Sequence, residues 1–368
     1  MGPMTVDGTV VDVQSHWSAD GGRIITEATV QTPDGPVVVS QLGGHADGLG
    51  QQVFDNQPLL ELGMRVTVAA HADADLSGVL HNVVDGVKVT AGTSFVRTGP
   101  TKHGNYLYWE SGCIFLTVDN AGTKEVPGDQ EFPVIDQCIA TWANDTKDCS
   151  YLKIVDQGRK DGVEVNGKDY TNILKFRDSS WCRPATKDDA AKCYSPDSAG
   201  ITTATYIDDG GPRDGAIVDA DIEINGKNFD ISVNGVTLGT ANSPADLANT
   251  LTHELGHLQG LEHTCTVPGD PDRIDSDGNP VPSCGSTTDP KITEATMYPY
   301  QSNGETKKTT LEPDDIDAIC TVYPKSQDPG TCDPVDNGTG CNSSRGPLGP
   351  LALVGVLGLL GRRKTRRR

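Results

Sequence analysis

The stretch THELGHLQGLEHT, residues 252–264, holds three of the chain's eight histidines. His253 and His257 are four apart, which on a helix puts both imidazoles on one face with Cβ atoms about 5–6 Å apart. Two ring nitrogens at that separation suit a single tetrahedral zinc, and a catalytic zinc needs a third protein ligand and one open position. Glu254 is turned about 100° from His253 around the helix, beside the ligand row, where a base for the metal's water belongs. A third ligand from the same face would crowd the first two, so the helix must stop and the chain turn back. Gly260 follows Leu258 and Gln259, where a left-handed residue ends a helix at little cost, and the bend lets His263 arrive. The pattern H-E-x-x-H-x-x-G-x-x-H fixes five positions. By chance it occurs in on the order of one chain in ten thousand, which sets aside a surface helix with accidental histidines.

Around this motif, SPADLANTLTHELGHLQG (243–260) is the clearest helix, with Ser243 expected as N-cap, Pro244 at the first helical position, Asp246 completing a capping box and Leu247, Leu251, Leu255 and Leu258 forming one apolar stripe. A second helix is expected in DQEFPVIDQCIATWAND, where Phe132, Ile135, Ile139 and Trp142 recur at helical spacing, and a last one in EPDDIDAICTVY (312–323). Between them GCIFLTVD, YLKIVD, NILKFRD, ITTATYID and AIVDADIEIN read as strands. This predicts an α+β catalytic domain over residues 100–325. Residues 1–92 read differently: TVDGTVVDVQ, GRIITEATVQ, GPVVVSQL, MRVTVAA and DGVKVT are short Val-rich strands between turns, a small all-β domain for which an OB-like barrel is one candidate.

The zinc motif, with Met297 in ATMYPY downstream, resembles the metzincin metalloproteases. MYP after Ala-Thr and LEPDDIDAICTVYP are similar to the Met-turn and final helix of the matrixins, and GAIVDADIEIN is similar to the edge strand on which matrixins lay an extended substrate. The resemblance spans roughly residues 105–323. It implies a twisted mixed sheet with an active-site helix, Met-turn and C-terminal helix. It implies one catalytic zinc on His253, His257 and His263, Glu254 as general base, Met297 as an apolar floor, and protein or peptide substrates bound along Tyr298, Pro299 and Tyr300. Tyr298 and Tyr300 are candidates for a further hydrogen-bond donor. The sequence also departs from matrixins. No histidine lies between 104 and 252, and Asp221 stands near where one is expected, so a second, structural zinc is not expected; nor does any cysteine before Cys113 supply a latency thiolate.

The formal charge of −21 repels phosphate backbones and excludes nucleic acid as a partner. Ten cysteines without a CxxC pair point to disulfides in an oxidising compartment. All eight between 113 and 320 are expected oxidised, Cys182–Cys193 and Cys265–Cys284 among the bonds. MGPMTVDGTV is not a signal peptide, so an export leader is expected upstream or already removed. DPDRIDSDGNP (270–280) is dense in carboxylates. It reads either as a calcium loop outside the EF-hand register or as a solvated acidic turn. Residues 326–345 read as a linker. Residues 346–368, an apolar run ending in RRKTRRR, resemble with Gly340-Cys341 the MYXO-CTERM class of bacterial sorting tails, implying attachment to the cell envelope and display at the surface. The leading expectation is a secreted or cell-surface zinc endopeptidase. The alternative is a surface binding or adhesion protein whose N-terminal β-domain does the work, and the intact Glu254 argues against it.

Overall fold

The computed structural model describes residues 4–55, 59–62, 64–70, 76–81, 94–185, 191–233 and 244–335. The expected strand at 85–90, Ser243, and the tail with Gly340 and Cys341 lie outside these residues.

The N-terminal segment contains β1 (Met4–Trp17), β2 (Ile24–Thr32), β3 (Gly35–Leu42), β4 (Gly44–Ala46), β5 (Leu49–Val53), β6 (Arg65–Ala70) and β7 (Leu76–His81). Five of these form an antiparallel sheet in the order β3-β2-β1-β6-β7. Alternation puts Val6, Val10, Ala28, Val30, Val39, Val66 and Val68 on one face, where with Leu60 they make a small core.

The remaining two, β4 and β5, leave that sheet and join the other. Its members are β9 (Cys113–Asp119), β10 (Lys153–Lys160), β11 (Asn172–Phe176), β14 (Gly200–Ile207) and β15 (Ile217–Ile224). The short strands β8 (Val96–Arg97), β12 (Cys182–Arg183) and β13 (Lys192–Cys193) lie outside it. The seven-stranded order is β10-β9-β11-β15-β14-β5-β4, parallel from β10 to β15 and antiparallel from there to β4. The strand expected at the edge, β15, is therefore interior: β14 lies outside it, and β5 outside β14. Asp219, Asp221 and Glu223 alternate along β15 as a solvated face would, yet all are buried. Glu223 accepts from Arg177 Nε at 2.6 Å and Tyr194 Oη at 2.7 Å, and Arg183 lies 3.2 Å away. Asp219 and Asp221 accept from the backbone N–H of Thr171 and Ile173.

Helix α1 (Glu131–Thr146) and helix α2 (Leu247–Leu258) pack on the sheet. Helix α2 begins later than expected. Asp246 caps it, accepting from Asn249 N–H at 3.0 Å, while Pro244 belongs to β17 (Pro244–Asp246), paired with β16 (Asp230–Ser232). An aspartate cap one residue before Leu247 satisfies one of the helix's orphan N–H groups. The leucine stripe is fully buried, each side chain contributing roughly 1.5–3 kcal/mol. Polar positions of α2 are buried too. Trp142 Nε1 donates to Thr252 O at 3.0 Å and Trp109 Nε1 to Leu258 O at 2.7 Å, so α2 runs through the centre of the core. One further strand and two helices follow: β18 (Leu261–Glu262), paired with β8, then α3 (Pro290–Thr293) and α4 (Pro313–Val322). No described helix is long and apolar enough to cross a membrane.

Among the described residues four disulfides join Cys113–Cys332, Cys149–Cys320, Cys182–Cys193 and Cys265–Cys284. The last two are those expected. Bonds of this kind persist in secreted and extracellular proteins. Full oxidation of the eight cysteines up to 320 does not hold: Cys138 is a buried free thiol on the inner face of α1, and Cys113 pairs beyond the expected domain, with Cys332.

Candidate metal centre

Helix α2 ends as its sequence predicts. Gly260 has φ +93°, and its N–H bonds to His257 O at 2.9 Å, so the chain turns back through β18 and presents His263. His257 Nε2 is 3.2 Å from His253 Nε2 and 3.2 Å from His263 Nε2. A tetrahedral ion with Zn–N bonds of about 2.0–2.1 Å needs nitrogens about 3.3–3.4 Å apart, so the donor set fits zinc.

The protons confirm that the right atoms face inward. His253 Nδ1 lies 2.6 Å from Thr296 O, and His257 Nδ1 lies 2.9 Å from Leu261 O. A carbonyl can only accept, so each Nδ1 carries the hydrogen and leaves the Nε2 lone pair for a metal. Met297 lies beneath. A Cβ on Gly256 would meet its sulfur at 2.2 Å, so the glycine lets the Met297 turn approach the helix between the two ligands.

Glu254 is buried and accepts from Thr202 Oγ1 of β14 at 2.6 Å. A Cβ at Gly200, also on β14, would lie 2.7 Å from Glu254 Oε1. Strand β14 therefore borders the base. Burial first, then the charge of Asp55, pushes the Glu254 carboxyl up to about 8.

Asp55 is the residue that the sequence did not announce. Its Oδ1 is 2.8 Å from His263 Nε2 and its Oδ2 is 3.2 Å from both His253 Nε2 and His257 Nε2. Only 13% of its side chain reaches solvent. Burial works against its ionisation, but His263 and His253 hold it well below the usual carboxylate range. A lone aspartate in a glycine-rich stretch carries no motif, so no signal in the sequence could have singled it out.

Tyr298, Pro299 and Tyr300 follow Met297 directly. Tyr300 is exposed, its ring is 5.7 Å from that of Tyr298, and the carbonyls of both accept from the buried ammonium of Lys308. Burial pushes that ammonium down to about 8. The structure gives neither tyrosine hydroxyl a place among the three histidines.

A second group of possible ligands, His103, Asp208 and Asp214, also escaped the sequence reading. Its oxygens are already in use. Asp214 accepts from Thr101 Oγ1, Asn105 Nδ2 and Gly210 N–H, and Asp208 from Lys102 N–H, with His45 Nδ1 2.7 Å away. The 270–280 loop is also self-satisfied: Asp270 pairs with Arg273, and Asp275 accepts from the N–H groups of Asp277 and Asn279. Among the described residues it forms no metal-ligand group.

No family model matches the chain, and no curated protein matches it. Among solved structures it is similar to metalloproteinase-II from Bacteroides fragilis, at 11% identity and a TM-score of 0.28, over 85% of this chain and 92% of that one. A likeness this slight adds nothing to what the side chains show.

Proposed function

We propose that the chain is a zinc-dependent endopeptidase of metzincin type, similar to the matrixins. The observation that carries this reading is the convergence of three Nε2 atoms, each 3.2 Å from its neighbour around His257, with the buried Glu254 carboxylate next to them. Lewis acidity at such a centre makes water a nucleophile near neutral pH and polarises a scissile carbonyl. The rest falls to the chain. His253 and His257 are held in the correct tautomer by Thr296 O and Leu261 O. Glu254, aimed by Thr202 Oγ1, takes a proton from water and returns it to the leaving amine. Tyr298, Pro299 and Tyr300 would wall one side of the cleft. Residues 100–325 would form the catalytic domain, and residues 1–92 an N-terminal domain that lends β4 and β5 to its sheet. The C-terminal sequence supports display at the cell surface, through the linker 326–345 and the tail 346–368.

The test compares Asp55→Ala with Asp55→Ala/Glu254→Gln, because Asp55 lies where substrate must approach. The amide keeps the shape but accepts no proton. Casein hydrolysis should fall at least ~100-fold while one zinc is retained. Equal rates would remove Glu254 from the role of base. A zinc-loaded Asp55→Ala chain that cleaves nothing in a mixed peptide library would refute the enzyme reading.

A further inference from the structure

The three histidines are not held alike. His253 and His257 each give an Nδ1 hydrogen to a backbone carbonyl. Among the described residues His263 Nδ1 has no such acceptor. Its neighbour is the carboxylate of Glu262, whose Oε1 lies 3.6 Å from Nδ1 and accepts from the His263 backbone N–H at 3.0 Å. The first separation is too long for a hydrogen bond, so the carboxylate acts on the ring by its charge and on the main chain by a bond. Both effects suit a metal ligand. The bond fixes the backbone from which the ring hangs. A negative charge beside Nδ1 favours the tautomer with its hydrogen there, which leaves Nε2 bare.

A buried carboxylate needs partners of its own. Glu262 is 2% exposed, and its Oε2 has two: Gln52 Nε2 at 3.0 Å and Arg273 Nη2 at 3.3 Å. Arg273 supplies the compensating charge. It comes from the loop closed by Cys265–Cys284, which begins two residues after His263. The loop is fixed at three points. Arg273 Nη1 pairs with Asp270 Oδ2 at 3.0 Å, and the Arg273 carbonyl accepts from Val281 N–H at 2.9 Å. Ser276 and Phe95 exchange two hydrogen bonds, of 2.9 and 3.2 Å, that tie the loop to the residue before β8. We propose that Glu262 and Arg273 are positioning residues of the metal centre: Arg273 holds the Glu262 carboxylate, which sets the backbone and tautomer of His263, so the disulfide-closed loop governs how tightly the ion is retained. The inference rests on the metal-centre reading of the three histidines. It gives the loop that follows the third histidine a function, which is to bring a countercharge to the ligand that lies beyond the helix.

The test uses the full chain with cobalt in place of zinc, because its visible absorption reports the ligand set without any turnover. Cobalt is titrated in competition with nitrilotriacetate, a soluble chelator, for wild type, Glu262→Gln, Arg273→Met, Arg273→Lys and Glu262→Gln/Arg273→Met. Loss of a group that orients a ligand costs about 10–100-fold in metal affinity, so Glu262→Gln and Arg273→Met should each weaken cobalt binding by that factor and alter the spectrum. Arg273→Lys keeps the charge and should recover part of the loss. Because Arg273 acts through Glu262, the double variant should bind cobalt no more weakly than Glu262→Gln alone. A pair with a structural role only would lower stability to urea and leave the cobalt affinity and spectrum of the folded chain as in wild type. That result in both single variants, or losses that multiply in the double variant, would overturn the inference while leaving the metal centre intact. If Glu262→Gln does not fold, the comparison of Arg273→Met with Arg273→Lys decides in its place: equal affinity in the two would overturn the inference. A wild-type chain that takes up no cobalt would overturn the metal reading and this inference together.

Discussion

Two clusters in this molecule gather histidine and aspartate, and they differ in where the lone pairs point. At His103, Asp208 and Asp214 the carboxylates are saturated by hydroxyl, amide and backbone donors. At the other cluster His253 and His257 direct their Nδ1 hydrogens outward, to Thr296 O and Leu261 O, and turn their Nε2 atoms inward, toward His263 and Asp55. The first arrangement is a polar knot that ties residues 101–105 to the loop after β14. The second is arranged for a cation. Residue type alone does not distinguish them; the direction of each hydrogen does.

The largest effect that separates the two clusters is catalytic. In the Asp55→Ala background, Glu254→Gln should cost at least ~100-fold in peptide hydrolysis. In the same background Asp214→Asn should leave kcat/KM within about two-fold, because no group it touches reaches the centre. A comparable loss from Asp214→Asn, in a chain that stays folded, would erase the distinction.

A buried carboxylate with an unused acceptor sharpens the contrast. Asp221 is buried, its Oδ2 has no hydrogen-bond partner, and burial, ahead of the charges around it, pushes its carboxyl up to about 8. A folded pKa above the unfolded value of 3.8 means the folded chain holds the proton more tightly. The associated stability is therefore complete below about pH 4 and is lost as pH rises toward 8. Asp221→Asn, fixed in the neutral shape, should raise stability to urea by up to roughly 5 kcal/mol at pH 8 and by almost nothing at pH 4. A gain of the same size at both pH values would contradict this account of the group.

The smallest expected change is His103→Ala. The ring is 45% exposed and contributes two contacts, at 3.2 Å to Asp214 and 3.5 Å to Asp208. Its loss should cost about 0.5–1 kcal/mol in thermal or urea unfolding. A cost of several kcal/mol would mean that His103 secures a buried ion.

How much of this was legible in sequence follows from how local each signal is. His253, Glu254, His257, Gly260 and His263 sit within eleven residues on one helix and its turn, so spacing alone places them. Asp55 reaches the same centre from nearly two hundred residues away, at the end of a strand written GGHADGLGQQV (43–53), whose glycines read as loop. Strand β5 exists because β14 supplies its partner, a condition that no local pattern records. The burial of the acidic residues in β15 carries no local signal either: the arginines at 177 and 183 that accompany Glu223 are distant in sequence. The start of α2 was displaced because both Ser243 and Asp246 have capping chemistry, and the pairing of β16 with β17 decides between them.

The most direct measurement is the zinc content of the purified, dialysed chain, in wild type, in His253→Ala/His257→Ala and in His103→Ala/Asp214→Asn. The account predicts one zinc per chain in wild type, none in the first variant and one in the second. Two zincs in wild type, or one that survives loss of His253 and His257, would contradict it.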